Sequence, residues 1–207
     1  MPIRLAVLLS GGGTTMQNLI DRIDAGTLDA QISCVISSRA EAKGIERAKK
    51  HGLPVSVVNR ADYTGDLASF NRDIWNAIRR HDVDLVVLAG FMSLIEIPEE
   101  FNLSIINIHP ALIPAFSGKG MYGRHVHQAV LDYGVKVTGV TVHFVDDVYD
   151  RGPIILQEPV RVQSGDTVDS LSARVQEVER ELYPRAIELL ARKKVTVKGR
   201  VVSVDES

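Results

Sequence analysis

Short apolar runs alternate along the chain with stretches whose apolar residues recur every three or four positions. Leu5–Leu9 is apolar throughout and ends at Ser10-Gly11-Gly12-Gly13. Met16, Leu19, Ile20 and Ile23 then share one helical face, with Thr14 as the expected cap. Gln31 to Ile36 forms a second run, and a helical pattern from Glu41 to His51 stops at Gly52. Val55 to Val58 follows Pro54 as a third short strand. A helix is predicted from Asp66 to Arg80, with Phe70, Ile74 and Ile78 at fourfold spacing. Leu85–Ala89 and Ser104–Ile108 are the fourth and fifth strands. Strands apolar on both faces, alternating with helices, predict a parallel sheet covered on both sides.

The pattern changes after residue 110. Ala111 to Gly123 is rich in Gly and Pro and reads as a loop, and Val126 to Tyr133 as a short helix. From Lys136 to Val145 the residues alternate, with Val137, Gly139, Thr141, His143 and Val145 facing one way. Ile154 to Val162 follows as a strand with no helix between, so the pair predicts an antiparallel addition. A last helix runs from about Thr167 to Lys193, capped by Asp166, with Pro184 inside it as a kink. The expected fold is α/β: a Rossmann-like, mostly parallel sheet covered on both faces, with an antiparallel C-terminal addition. It forms one domain over residues 1–207, with halves at 1–103 and 104–207.

Composition narrows the function classes. A formal charge of −2 gives no electrostatic case for binding nucleic acid in bulk. The single cysteine, Cys34, rules out an internal disulfide framework and lies in the apolar run Ile32–Ile36, where a buried structural thiol is expected. No apolar run approaches the ~20 residues of a membrane span, and Met1–Leu5 enters a strand without a basic leader. The reading is a soluble, cytoplasmic protein with no membrane partner.

The glycine turn opens a helix, where free backbone amides suit a phosphate. A dinucleotide fingerprint needs G-x-G-x-x-G, but Met16 takes the third glycine's place. The second strand ends in Ser37-Ser38-Arg39, without the acidic residue that a ribose hydroxyl requires. This argues against NAD, while Arg39 leaves an NADP reading open. Three successive glycines exceed the needs of a plain turn and favour phosphate binding.

Ser104-Ile-Ile-Asn107-Ile108-His109-Pro110 is the most informative stretch. Residues two apart on a strand share a face, so Asn107 and His109 point the same way. They stand at the carboxyl end of a parallel strand, where open α/β sheets bind ligands. An amide donor beside an imidazole suits acyl transfer. Asn107 can donate to a developing oxyanion, an effect worth ~10²–10³ in rate elsewhere. His109 can donate as imidazolium or transfer protons near neutral pH. Asp150-Arg151-Gly152-Pro153 is a tight turn whose carboxylate can orient His109 and raise its pKa, or hold a proton-relaying water. Spacing alone does not bring Asp150 to His109. Asp146 and Asp147 read as a solvated turn. His125, His127 and His143 lack metal-site spacing, and Ser10, Ser93 and Ser117 lack a nucleophile elbow.

Several of these segments resemble one family. They are Leu9-Ser10-Gly11-Gly12-Gly13-Thr14, Leu88–Met92, Ile106–Pro114, and Val142–Asp146 with Asp150–Ile155. Together they resemble the phosphoribosylglycinamide formyltransferases of the folate-dependent formyltransferase family, over about residues 3–195. The resemblance implies formyl transfer from 10-formyltetrahydrofolate to the amine of glycinamide ribonucleotide in purine biosynthesis, without metal. It implies Asn107, His109 and Asp150 as the catalytic trio. Gly12, Gly13, Thr14, Thr15, Gly90, Pro110, Gln176 and Glu179 would hold the ribonucleotide. Phe91, Met92, Ser93, Leu94, Ile95, Val145, Asp146 and Asp147, with Asn107 and Asp150, would hold the folate. Residues 1–103 thus form the phosphate-binding half and 104–207 the catalytic and folate-binding half.

Two departures stand out: many members carry Asn in place of Thr15 and Arg in place of Ser93. The loop Phe116–Gly123 resembles one that moves over the site. The expected assembly is a monomer or a homodimer. The rival methionyl-tRNA formyltransferases usually carry a further C-terminal domain. Formyltetrahydrofolate hydrolases usually carry an N-terminal regulatory domain, and often His where Pro110 stands. A noncatalytic nucleotide-binding module would need no such trio.

Overall fold

The computed structural model describes residues 1–205, in two compact units: Met1–Ile106, and Asn107 onward. The first unit alternates strand and helix in the predicted order: β1 (Ile3–Leu9), α1 (Thr14–Asp24), β2 (Ala30–Ser37), α2 (Lys43–Lys50), β3 (Val55–Val57), α3 (Leu67–Ile78) and β4 (Leu85–Leu88). The strand order is β3-β2-β1-β4, followed by the start of β5 (Ile105–His109). β1 runs parallel to both β2 and β4, and β2 parallel to β3. Chain order thus reverses between β1 and β4, the switch point outside whose carboxyl ends such sheets take ligands.

Leu5–Leu9 is fully buried, as a strand packed on both faces must be. The fourfold stripe of α3, Phe70, Ile74 and Ile78, is buried to the same degree. Asp66 caps α3 by accepting the Ser69 N–H at 2.9 Å. Thr14 does not cap α1. Gly13 holds the capping position with a left-handed backbone, because the chain must reverse tightly out of β1.

The second unit holds the end of β5, α4 (Arg124–Tyr133), β6 (Val137–Phe144), β7 (Ile154–Arg161), α5 (Val168–Ala191), β8 (Val195–Lys198) and β9 (Val201–Val204). β6 and β7 pair antiparallel, as the missing helix between them predicted. The alternation read along β6 does not survive as one exposed face, since Thr138–Phe144 is buried throughout. Gly139 allows this: a Cβ there would lie 2.2 Å from the Glu158 carbonyl oxygen. Helix α5 packs over β6 and β7 and buries Leu171, Val175, Leu182 and Ala186. Its cap is Thr167 rather than Asp166. Thr167 and Ser170 form a reciprocal capping box, while Asp166 accepts from Ser170 Oγ and Arg174. The helix continues through Pro184. Among the described residues, no helix is long and apolar enough to cross a membrane.

Candidate active site

In the second unit, Asn107 and His109 stand at the end of β5, Asp150 in the turn between β6 and β7, and His143 on β6. The fold brings all four together. His109 Nδ1 lies 3.4 Å from Asp150 Oδ2, with the His109 side chain 3% exposed. Asn107 Nδ2 donates to Asp150 Oδ1 at 3.4 Å and lies 3.3 Å from His143 Nε2. His143 Nδ1 is 2.7 Å from the Phe144 carbonyl oxygen, which fixes that nitrogen as the N–H donor. The opposite nitrogen of a neutral ring is then free to accept from Asn107. A register shift between Val142 and His143 lies beside this contact, a position where bulges often occur near sites.

Four polar side chains in a sheltered space tune one another. His109 Nε2 is 2.8 Å from the Phe116 carbonyl oxygen, so that nitrogen carries a proton. Burial pushes the His109 pKa below its ordinary value, although the Asp150 charge and the Phe116 carbonyl pull upward. The upward shift expected from a neighbouring carboxylate is therefore overturned by desolvation. Burial also opposes the Asp150 charge, but the neighbouring His143 and His109 rings and the Gly118 N–H outweigh it. The Asp150 carboxyl stays below its usual range. The result is a neutral imidazole beside a charged carboxylate. His143, weighed in the sequence only as a metal ligand, belongs to this cluster. Its signal was the shared face with Thr141 and Val145 next to an acidic turn.

A partly buried hydrogen-bond network supports the loop that leaves His109. Thr141 Oγ donates to the Ala111 carbonyl at 2.7 Å and accepts the Ile113 N–H at 3.1 Å. Gln157 Nε2 donates to Thr141 Oγ and to the Ile113 carbonyl, each at 3.0 Å. Half-buried Val145 and Asp146 and exposed Asp147 precede the Asp150 turn, where Asp146 Oδ1 accepts the Val148 N–H. On α5, exposed Gln176 donates to Ser172 Oγ. Glu179, one turn on, is partly buried, and burial pushes its carboxyl up to about 7.

The first unit carries the remaining residues at the ends of β1 and β4. Gly13 is φ +71°, and a Cβ there would meet Gly44 Cα at 2.7 Å, so this glycine is required by packing. Gly11 and Gly12 face open space and are not. Arg47, on α2, donates to the Gly12 carbonyl at 2.9 Å and brings a cation to the turn. No pattern in the sequence singled it out. Thr14 is exposed and Thr15 half-buried. Ser10 ties the two strand ends: its N–H donates to the Gly90 carbonyl, and its hydroxyl accepts the Met92 N–H. Phe91 stacks on Phe70, with ring centroids 6.5 Å apart. Ser93 and Leu94 are half-buried and Ile95 is buried.

The formyl transferase family pattern matches residues 3–187. The chain belongs to the formyl transferase family. Among its relatives is the phosphoribosylglycinamide formyltransferase of Haemophilus influenzae, 34% identical over 98% of this chain and 93% of that protein. The chain is also 42% identical to the trifunctional purine biosynthetic protein adenosine-3 of Bos taurus, over 98% of its own length but only 20% of the bovine protein. In structure it is similar to glycinamide ribonucleotide transformylase 1 of Symbiobacterium toebii: TM-score 0.90, 40% identity, 98% of this chain and 94% of that one.

Proposed function

We propose that the protein transfers the formyl group of 10-formyltetrahydrofolate to the amine of glycinamide ribonucleotide, as part of purine biosynthesis. The observation that carries this reading is the convergence of Asn107, His109 and Asp150 in a member of the formyl transferase family. The amine nitrogen attacks the formyl carbon, and the carbonyl electron pair moves onto oxygen. Asn107 Nδ2–H and His109 Nε2–H donate to that oxyanion. The Phe116 carbonyl now held by His109 gives up its place to the substrate oxygen. The Asn107 contacts, at 3.3 and 3.4 Å, are long enough to be exchanged. The attacking nitrogen passes a proton to the Asp150 carboxylate. Asp150 hands it to N10 of the folate as the C–N10 bond breaks, so no net proton is consumed.

The ribonucleotide phosphate is assigned to Gly12, Gly13, Thr14 and Thr15, supported by unlined Gly12 and the nearby Arg47. Gly90, Pro110, Gln176 and Glu179 complete that substrate's contacts. The folate is assigned to Phe91, Met92, Ser93, Leu94, Ile95, Val145, Asp146 and Asp147, together with Asn107 and Asp150. Small-molecule substrates, a cytoplasmic setting and a monomer or homodimer follow from the same reading. The test is tetrahydrofolate release from 10-formyltetrahydrofolate, with and without glycinamide ribonucleotide. Release that requires the ribonucleotide is expected. Release without it would mean hydrolysis, and no release from folded protein would end the enzyme reading.

A further inference from the structure

Asp150 reaches His109 with its own backbone at φ +54°, a region that side chains other than glycine seldom occupy. The turn that imposes this conformation is gripped on three sides. From β6, the Phe144 N–H donates to the Pro153 carbonyl at 2.8 Å. There, too, Gly152 packs so closely that a Cβ would lie 1.7 Å from the Phe144 carbonyl oxygen. From the loop after β5, the Gly118 N–H donates to Asp150 Oδ2 at 2.9 Å. From the C-terminal hairpin, Arg200 Nη2 donates to the Arg151 carbonyl at 2.6 Å.

The third grip comes from outside residues 3–187, the segment matched to the family. β8 and β9 pair from Val195↔Val204 to Lys198↔Val201, leaving Gly199 and Arg200 as a two-residue turn. Gly199 has φ +61°, which suits the first position of such a turn. β9 packs against β7, the strand that the Asp150 turn feeds. The hairpin is thereby seated with Arg200 at its tip, against the turn. A guanidinium bonded to a carbonyl is a charge-assisted contact, stronger than a neutral one. Because the peptide unit is planar, holding the Arg151 carbonyl fixes the Arg151–Gly152 peptide as a whole.

We propose that Arg200 is a positioning residue, which holds the Arg151–Gly152 peptide and so keeps the Asp150 carboxylate against His109. This rests on the role given to Asp150 under the proposed function. A surface arginine that only steadied the hairpin would make the same contact, so the test must read the site itself.

The test compares full-length wild type with Arg200→Ala and Arg200→Lys. Arg200→Ala is expected to lower kcat about tenfold, less than the ~10²-fold that a 1 Å misplacement can cost. KM for the ribonucleotide should stay within about twofold, since no group assigned to it is removed or moved. Arg200→Lys, which keeps a cationic donor, should recover most of the loss. A second readout does not depend on turnover: the amide resonance of Gly118 and the NMR titration of the His109 ring. In Arg200→Ala the Gly118 amide should shift and the His109 pKa should fall, because the carboxylate has drawn back; Arg200→Lys should restore both. If Arg200→Ala does not fold, Arg200→Gln carries the same readouts with a neutral donor. Unchanged Gly118 and His109 signals in Arg200→Ala would overturn the proposal, as would a wild-type kcat in that variant. A wild-type protein that transfers no formyl group would sink the functional reading alone, leaving the resonances to decide the role of Arg200.

Discussion

At the scale of the residue, His109 answers to two opposed demands. Burial favours its neutral ring, and the Asp150 carboxylate favours its charged one; burial wins. Asp150→Asn removes the upward pull, so the His109 pKa should fall further, measurable by NMR titration of the ring. The same change removes the proposed proton acceptor and should lower kcat by roughly 10²–10⁴-fold with the fold intact. Asn107→Ala should lower kcat by ~10²–10³-fold, the usual cost of one oxyanion donor. Wild-type turnover in either variant would refute that residue's role. Asn107 and His109 were legible from strand periodicity alone, since residues two apart share a face. Asp150 was not, because 40 residues or so separate it from His109 and only the β6–β7 pairing brings it back.

At the scale of the element, the helices and strands followed their periodicity while their ends did not. The α3 stripe was read from spacing and is buried as expected. Phe70 touches Tyr63 edge-on and stacks on Phe91, so Phe70→Ala should cost about 3–5 kcal/mol in chemical denaturation and loosen the segment that carries Phe91. A loss well below that range would show that the site collapses around the gap. The misassigned caps have one cause. Thr14 and Asp166 each lie one residue from the true cap, and the choice depends on backbone angles that the sequence does not display. The β8–β9 hairpin was passed over, although Val195-Thr196-Val197-Lys198-Gly199 alternates before a turn glycine. Its strands are only four residues each, too short to stand out.

At the scale of the molecule, buried titratable groups set how stability depends on pH. His109 and His127 both have pKa values held below the ordinary 6.5, chiefly by burial. Below that pH the unfolded chain binds protons that the folded one refuses, so stability falls as pH drops through the histidine range. Glu179 acts in the other direction. Its folded pKa of about 7 exceeds the ordinary 4.5, so stability falls as pH rises between those values and stays lower above 7. His127 Nδ1 has no hydrogen-bond partner among the described residues, so His127→Leu should flatten the acid limb of a thermal-melting profile. Glu179→Gln should raise the melting temperature at pH 8 and leave it unchanged at pH 4. If Glu179 holds the ribonucleotide, the same variant should raise KM for that substrate. An equal change in melting temperature at both pH values would show that the carboxyl does not titrate as its burial implies.

The sequence by itself determined the layering of the first unit, the antiparallel return after β6 and the face shared by Asn107 and His109. Each rests on a local period, of 2 along a strand or 3.6 along a helix, that the chain cannot hide. Beyond the resemblance that named Asp150, the tertiary structure decided that Asp150 and His143 meet that pair, that desolvation outweighs the carboxylate in setting the charge of His109, and that Arg200 reaches the Asp150 turn. These depend on which distant segments meet and how much water they exclude, quantities that no window of neighbouring residues contains.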